Sequence, residues 1–470
     1  MAEDKATGPQ TKSQPERSKL IIGISVAIAI VAIVAIAFVL IGTPKHVKTQ
    51  TLTVKMNEKV AKAAQPVTVG TPTYVLKFEE LKGVKSAIPL TYPDPNGVVF
   101  ISVRTANMTN EVWTFKDGNL VGRFKLNGTV VPVFDVRKGE YATYKGKLLV
   151  GINGVLYAIY GDKAEKLARY DVVKGAKIGI FTVKEEAYAW LVKVNKNVND
   201  TTVYCALFDL FKNKELANYT FDLGANVSAA NPLPDLLDGK GCLVLWMKTA
   251  SPIMYYVYKG ENGEAKGKVD LMKMRVATFA PIFFEVAPYE SKPYFILITP
   301  NPNGRTFELR LHDVLDNETT TFTLPGIYNF VNIGDYFGNG YVGDALFLVY
   351  SNEGVKMEIF DVNGKYQEIN VGKLNRELAV FNGIMFKPQN KRAFGLGNFT
   401  NASMKIITNV GTLKFKVENV PQNVSSLFIV GSLDNSKLCY TAIINPAVGG
   451  LRSPQMLVQG KVYMAVGCSG

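Results

Sequence analysis

The chain repeats one local pattern seven times: a run rich in β-branched and aromatic residues, a turn signal, and a second run of the same kind. The first runs of these hairpins begin about 44 to 53 residues apart. Turn residues such as Asp117-Gly118 and Asn262-Gly263 follow them. The pattern predicts an all-β protein built from repeated hairpins, whose first strands are residues 112–115, 156–160, 203–207, 254–258, 307–311, 355–359 and 404–407.

Two further apolar runs precede each hairpin, so the repeating unit has four strands. A period of about 50 residues is typical of the four-stranded blades of a β-propeller. Near the C-terminus, residues 426–430, 438–444 and 462–466 supply only three strands. Residues 74–78 are expected to complete this unit as its fourth strand, which closes a ring of eight blades, or of seven. Two packed β-sandwiches remain the alternative, because alternation and turn spacing do not separate the two architectures.

Residues 20–42 form an uninterrupted apolar run without a charge. At 1.5 Å per residue, a helix of this length crosses a hydrocarbon core of roughly 30 Å. The run is too long for the apolar part of a secretory signal, which usually has about 7 to 15 residues. We therefore expect a disordered cytoplasmic tail (1–19), a single transmembrane helix in membrane lipid (20–42), an extended spacer (43–73) and an extracellular β-propeller domain (74–470).

The charges flanking the apolar run do not orient it, because Lys and Arg are almost balanced on its two sides. Nine Asn-X-Ser/Thr triplets indicate the orientation instead, because all of them follow the run. Chance predicts about four such triplets in this composition. They favour a domain outside the cell that carries N-linked glycans. The acceptors are Asn107, Asn127, Asn199, Asn218, Asn226, Asn317, Asn398, Asn401 and Asn423.

The net charge of +13 is spread along the chain. The tail and the spacer account for about +5 of it, and the remaining basic residues are interspersed with acidic ones. Because no run of five Lys or Arg occurs, we expect no nucleic-acid partner. The lysines beside the apolar run instead favour anionic lipid headgroups.

One segment has the composition of a cation-binding loop. Residues 334–344 (GDYFGNGYVGD) precede an apolar strand and resemble the calcium loop of integrin-type (FG-GAP) propellers. More generally, the repeat layout resembles secreted eight-bladed propellers of the quinoprotein-like and FG-GAP superfamilies. The resemblance implies Ca²⁺ ligation by Asp335, Asn339 and Asp344, although Phe337 stands where an oxygen ligand is expected. The alternative is a Gly/Asn turn without metal. We expect no other cofactor.

The four cysteines form no Cys-X-X-Cys pair, and no histidine lies near them, so a zinc site is not expected. Outside the cell, disulfides are their natural use. Cys439 and Cys468 fall on adjacent strands of the closing unit, which favours a bridge between them. Cys205 and Cys242 fall in successive units, and their pairing is less supported because it requires Cα atoms under about 7 Å apart. Three connectivities are possible in principle, and buried free thiols are the alternative.

The sequence supports catalysis poorly, and we expect no enzyme. Of the two histidines, His46 lies in the spacer and His312 beside a predicted turn, where we expect it to be exposed. Carboxylate pairs such as Glu358 with Asp361, or Asp235 with Asp238, occur in any strand-turn sequence. The stripe Tyr255, Tyr256 and Tyr258 favours blade packing over a sugar platform.

The function predicted from these features is binding, adhesion or scaffolding by a membrane-anchored cell-surface glycoprotein, with an extracellular protein or glycan as its ligand. The Ile/Val/Ala-rich anchor and the dense acceptor sites favour an archaeal protein. One alternative is a pilin-like subunit whose apolar helix packs into the core of a homopolymeric filament. Another is an extracytoplasmic hydrolase.

Overall fold

The computed structural model describes residues 73–469, with gaps at 95, 136–139, 171–175, 184–185, 198, 238–239, 288–289, 303–305, 325–328, 333–344, 361–365, 374–379, 387–390, 400–402, 409–410, 421–426, 435–436 and 446–460. Every regular element in these ranges is a β-strand. Within the same ranges, no helix is long and apolar enough to cross a membrane. The predicted anchor, residues 20–42, lies outside the described residues.

The strands follow one another as antiparallel meanders of four, numbered here in chain order. Two N-terminal strands, β1 (Thr73–Lys77) and β2 (Glu79–Glu80), come first. The first meander is β3 (Val84–Pro89), β4 (Val98–Thr105), β5 (Asn110–Lys116) and β6 (Asn119–Lys125). The second is β7 (Val130–Asp135), β10 (Lys147–Ile152), β11 (Val155–Tyr160) and β12 (Lys163–Arg169), with the short strands β8 (Glu140–Tyr141) and β9 (Thr143–Tyr144) in its first connection.

The middle of the chain continues this pattern. The third meander is β13 (Lys177–Val183), β14 (Glu186–Lys196), β15 (Thr201–Asp209) and β16 (Lys214–Asp222). The fourth is β17 (Val227–Pro234), β18 (Cys242–Lys248), β19 (Ile253–Gly260) and β20 (Gly263–Asp270). The fifth is β21 (Thr278–Ala287), β22 (Glu290–Pro300), β23 (Phe307–Asp313) and β24 (Thr319–Leu324).

The last part of the chain follows the same plan. The sixth meander is β25 (Asn329–Asn332), β26 (Ala345–Ser351), β27 (Gly354–Phe360) and β28 (Tyr366–Gly372). The seventh is β29 (Val380–Phe386), β30 (Lys391–Phe399), β31 (Ser403–Thr408) and β32 (Gly411–Glu418). The eighth is β33 (Leu427–Asp434), β34 (Lys437–Ile444) and β35 (Tyr463–Ser469), with β2 as its outer strand.

Neighbouring meanders lie side by side with their faces in contact. The first strands of the second and third meanders, β7 and β13, pair in parallel, as do β29 and β33 of the seventh and eighth. One apolar cluster joins Trp190 of the third meander to Val244 of the fourth. Another joins Ile101 of the first meander to Ile443 and Met464 of the eighth, so the two ends of the series meet. Consecutive four-stranded sheets joined in this way are the architecture of a β-propeller.

The meanders have two distinct ends, because connections alternate between the ends of antiparallel strands. We call one end the AB face; it carries the turns between first and second and between third and fourth strands. The opposite end, the BC face, carries the remaining connections. On the AB face, the amide N of Tyr141 donates to the carbonyl O of Leu90 at 3.0 Å, across the first and second meanders. On the BC face, the amide N of Thr249 donates to Asn226 O at 2.8 Å, at the end of the β17–β18 ladder of the fourth meander.

The N-terminal strand does not pair as the sequence predicts. Residues 74–78 were expected to be the fourth strand of the last unit. Instead, β1 pairs in parallel with β32, as a fifth strand on the seventh meander, and only β2 completes the eighth meander. The alternating burial of β1 explains this position, because Tyr74 and Leu76 fill the apolar layer between the two meanders. These residues form a strand, as predicted, but the predicted partner was wrong.

Candidate functional site

The AB face of the first three meanders carries partly exposed aromatic side chains. We call this group the aromatic strip: Tyr92, Phe134, Tyr141, Tyr144 and Phe211. It forms where two AB connections touch, because the amide N of Tyr92 donates to the Glu140 carboxylate and that of Tyr141 to Leu90 O. The short strands β8 and β9 fold the second connection back onto β7 and β10. These backbone contacts hold the rings in place.

The rings of the aromatic strip pack in two pairs. The ring centroids of Phe134 and Tyr141 are 4.7 Å apart, and those of Tyr144 and Phe211 are 5.5 Å apart. Phe211 lies in a turn and leaves 38% of its surface exposed. An exposed phenylalanine gains little from folding, so its ring is available to a partner. The Lys145 ammonium lies 5.0 Å from the centre of the Tyr144 ring. The strip therefore offers aromatic faces with a nearby positive charge, which suits contact with a protein or a sugar.

An ion cluster borders the strip and fixes the turn that carries Phe211. The buried carboxylate of Asp209 accepts the backbone N–H of Phe211 at 3.1 Å and that of Lys212 at 2.9 Å. The Lys212 ammonium lies 3.0 Å from both Asp209 and Glu186. Hydrogen bonds to these two carboxylates raise the pKa of Lys212. Burial, followed by the hydrogen bond to Glu186, raises the pKa of Tyr188 to about 12.

A second buried carboxylate, Asp235, joins three meanders on the AB side. Its side chain accepts from the Ser291 hydroxyl and, at 2.8 Å, from the backbone N–H of Leu237. Its backbone carbonyl accepts from the Trp190 indole at 3.1 Å. Asp235 has no exposed surface, so it acts as a structural link and offers no reactive group to a substrate. Asp238, its partner in the sequence prediction, lies outside the described residues.

The sequence repeats the turn motif of Asp209, a signal that lies outside the Asp-Gly and Asn-Gly turn pattern of the hairpins. Phe208-Asp209-Leu210 and His312-Asp313-Val314 end the third strands of their meanders in the same way. Asp313 accepts the backbone N–H groups of Leu315 at 2.9 Å and Asp316 at 3.0 Å. The same three-residue pattern, Phe360-Asp361-Val362, occurs after the sixth-meander hairpin strand, but Asp361 lies outside the described residues. In both described copies of the motif, the Asp carboxylate accepts backbone N–H groups of the turn that follows the strand. These carboxylates are therefore used in hydrogen bonds that build the turn.

His312 was expected to be an exposed turn residue, and this prediction was wrong. It lies within β23, where its ring stacks on that of Phe295 at 6.0 Å and its Nδ1 is 2.9 Å from the Thr319 hydroxyl. Burial lowers the pKa of His312, which favours the neutral ring at physiological pH. The histidine is therefore held by packing contacts. Tyr256 and Tyr258 are buried between meanders, as blade packing predicts.

Glu358 is a buried carboxyl group in an unfavourable setting. It lies on β27 directly opposite Glu368 of β28, and only 5% of its surface is exposed. The ammonium of Lys356 bonds to Glu368 at 2.9 Å. Burial, followed by repulsion from Glu368, raises the pKa of Glu358 to about 7. The sequence pointed to Glu358 only as a partner of Asp361, and that pairing is not tested because Asp361 lies outside the described residues.

The glycan acceptors are distributed unequally over the two faces. Asn107, Asn127, Asn199 and Asn226 lie in exposed BC-face connections of the first and third meanders. Asn218 lies exposed on the outer strand β16, and Asn317 lies exposed in an AB-face turn. Asn226 and Asn317 have φ values of 63° and 56°, so turn geometry alone can explain asparagine there. Asn398 lies in β30, and Asn401 and Asn423 are outside the described residues.

The structure forms the bridge that the sequence favoured, Cys439–Cys468, and also the Cys205–Cys242 bridge, which the sequence supported less. Cys439 and Cys468 are direct partners across β34 and β35, with Cα atoms 4.0 Å apart. Cys205 and Cys242 link the third meander to the fourth, with Cα atoms 6.9 Å apart, and both are fully buried. No cluster of three His, Cys, Asp or Glu suited to a metal occurs among the described residues. The candidate calcium ligands Asp335, Asn339 and Asp344 lie outside them.

No family model and no curated protein matches the chain. Similar solved structures include an acylaminoacyl peptidase from Pyrococcus horikoshii, with a TM-score of 0.38, 10% identity, and coverage of 78% of this chain and 59% of that chain. The Dos1 propeller has a TM-score of 0.37, 12% identity, and coverage of 84% and 95%. The WD40 domain of SCAP from fission yeast has a TM-score of 0.35, 10% identity, and coverage of 83% and 98%. Because these TM-scores are below 0.5, the architecture rests on strand pairing, and no activity follows from the likenesses.

Proposed function

We propose that this protein is a membrane-anchored glycoprotein of the cell surface, whose eight-bladed β-propeller is a binding or scaffolding head. The apolar run 20–42 is its anchor. The observation that carries the proposal is the exposure of every acceptor asparagine whose side chain is described, four of them on one face. Two disulfides support an oxidising location, because such bonds do not persist in a reducing cytosol.

The open face of this head is the AB face. Glycans on these BC-face connections would cover that end of the first three meanders, the same meanders that carry the aromatic strip, whereas the AB face has a single described acceptor, Asn317. The aromatic strip lies on this less shielded face. Exposed aromatic rings with a neighbouring lysine are typical of surfaces that bind proteins or sugars. We therefore propose that a partner binds at the strip, centred on Tyr144 and Phe211.

Protease treatment of intact cells tests the location. If the head is extracellular, protease added outside will cleave the chain after the apolar run and leave only a small N-terminal fragment in the membrane. A cytosolic marker protein of the same cells is the control and must stay intact. Complete protection of the chain in intact cells, together with its recovery in the soluble fraction after lysis, would refute both the anchor and the outward orientation.

Photo-crosslinking in living cells tests the binding face. A photoreactive amino acid replaces Phe211 in the strip or, as the matched control, Met108, which is 48% exposed on the BC face. We expect a discrete crosslinked adduct from position 211 and none from position 108. A Tyr144→Ser substitution should weaken the adduct at 211, because it removes the neighbouring ring. Equal adducts from both positions, or adducts from 108 alone, would contradict the assignment of the AB face.

A further inference from the structure

The segment that joins the N-terminal sequence to the propeller is bound to two meanders at once. We call residues 73–80 the strap; it comprises β1, Phe78 and β2. Beyond the strand pairing, the amide N of Phe78 donates to Glu418 O of the seventh meander at 3.1 Å. At the other end, the Lys461 ammonium lies 2.7 Å from the Glu80 carboxylate. The strap therefore bridges the seventh meander to the eighth.

Side chains of the strap fill the interface between these meanders. Tyr74, Leu76 and Phe78 expose 3%, 0% and 2% of their surfaces and pack in one apolar cluster with residues of both meanders. The hydroxyl of Tyr440, on β34, donates to the backbone carbonyl of Val75 at 2.7 Å. A strand that only closed a sheet edge would not need side chains buried to this extent. This degree of burial is more typical of a core strand.

The direction of β1 determines how a pull on the N-terminus loads it. Thr73 is opposite Lys414 near the AB-face end of β32, and Lys77 is opposite Glu418 at its BC-face end. The chain therefore enters the propeller from the AB side and runs toward the BC side. A pull from the N-terminal side acts along the strand axis, whereas the hydrogen bonds between the strands run across it. Such a load stresses all the bonds of the ladder together, in shear.

We propose that the strap is a mechanical clasp that carries the tension between the anchor and the head. This inference rests on the proposed function for the source of the tension, since the apolar run 20–42 precedes the strap in sequence. When the head is held by a partner and the anchor by the bilayer, the strap is the first element of the described head to come under load. Shear loading through a buried strand keeps the propeller closed until the whole ladder yields.

Single-molecule pulling on the full-length protein tests the clasp. One handle is attached at the N-terminus and the second at Met108, on the BC face, so that the force runs along β1. In a second geometry, the other handle is at Lys266, which is exposed on the outer strand β20, so that the force runs across the strands. We expect a higher rupture force in the first geometry, because crosswise pulling breaks the β1–β32 bonds one after another.

Substitutions in the strap test whether the strap provides the resistance to the pulling force. Leu76→Ala should lower the rupture force in the along-strand geometry, and Val75→Ala, at a side chain 41% exposed, should leave it unchanged. Tyr440→Phe removes only the hydroxyl that bonds to Val75 and gives a milder variant if Leu76→Ala does not fold. Equal rupture forces in the two geometries, or no effect of either strap variant, would overturn the proposal. Because the handles replace the membrane, a failure of the anchor in cells would not change these forces.

Discussion

Buried carboxyl groups of the described residues are of two kinds. Asp209, Asp235 and Asp313 each accept backbone N–H groups of the next turn, so their burial is compensated by hydrogen bonds. Glu358 has an acidic residue, Glu368, directly opposite it across β27 and β28. The first kind stabilises the fold, whereas the second makes stability depend on pH.

Glu358→Gln should remove a pH dependence of stability. Because the pKa of Glu358 is raised from 4.5 to about 7 in the folded state, the folded protein binds more protons than the unfolded chain between these values. The free energy of unfolding therefore falls as the pH rises through this window, by up to about 3 kcal/mol at 1.36 kcal/mol per unit. Urea unfolding at pH 4.5 and pH 8 should show the fall in the parent protein and a smaller one in the variant. Glu264→Gln, at a side chain 69% exposed, is the control; a fall of equal size in all three proteins would contradict the raised pKa.

Asp235→Ala should destabilise the AB side of the propeller. The substitution leaves the Ser291 hydroxyl and the N–H of Leu237 without this acceptor in the interior. We expect a loss of about 2 to 4 kcal/mol in the free energy of unfolding, measured by denaturant titration. Glu264→Ala should cost less than about 1 kcal/mol, because surface ion pairs contribute little. A cost for Asp235→Ala as small as that of the control would show that the network is not structural.

Among the elements, the repeated hairpins were predictable and the strap was not. Alternating runs and Asp-Gly or Asn-Gly turns identify β5 with β6, and β19 with β20, because pattern and turn chemistry are both local. In β1, alternation shows one buried face, but it does not specify whether the partner is β32 or β35. The choice depends on packing between distant segments, which no local signal encodes.

Leu76→Ala should destabilise the protein far more than Val75→Ala, although the two residues are neighbours on β1. Leu76 is fully buried between two meanders, so truncation leaves a cavity and should cost about 2 to 5 kcal/mol. Val75 is on the exposed face, and its truncation should cost less than about 1 kcal/mol. Thermal unfolding followed by circular dichroism measures both. Similar costs for the two variants would mean that β1 does not occupy its described position.

The two disulfides should differ in their resistance to reduction. Cys205 and Cys242 are both fully buried between meanders, whereas Cys468 is partly exposed near the end of β35. Thiol exchange requires access to a sulfur, so mild reductant should open Cys439–Cys468 first. Alkylation after timed reduction of the native protein, followed by peptide mapping, gives the order. Earlier labelling of Cys205 and Cys242 would contradict the burial of that bridge.

In the whole molecule, the fold brings together side chains that lie far apart in the sequence. Tyr92, Tyr144 and Phe211 belong to three different meanders, and the rings of Tyr144 and Phe211 meet only because the AB connections lie side by side. No sequence pattern marks them as a group, so the aromatic strip could not be predicted. The acceptor triplets were visible in the sequence, but their assignment to faces needed the order of strands within each meander.

Glycopeptide mass spectrometry of the protein purified from its native cells tests whether the head is extracellular and shielded on its BC face. We expect glycans on the exposed acceptors of the BC face, Asn107, Asn127, Asn199 and Asn226. Peptides that contain Asn at exposed positions outside the triplets, such as Asn119 and Asn213, are the internal control and should be unmodified. Complete absence of glycan from all four BC-face acceptors would contradict an extracellular head with one shielded and one open face.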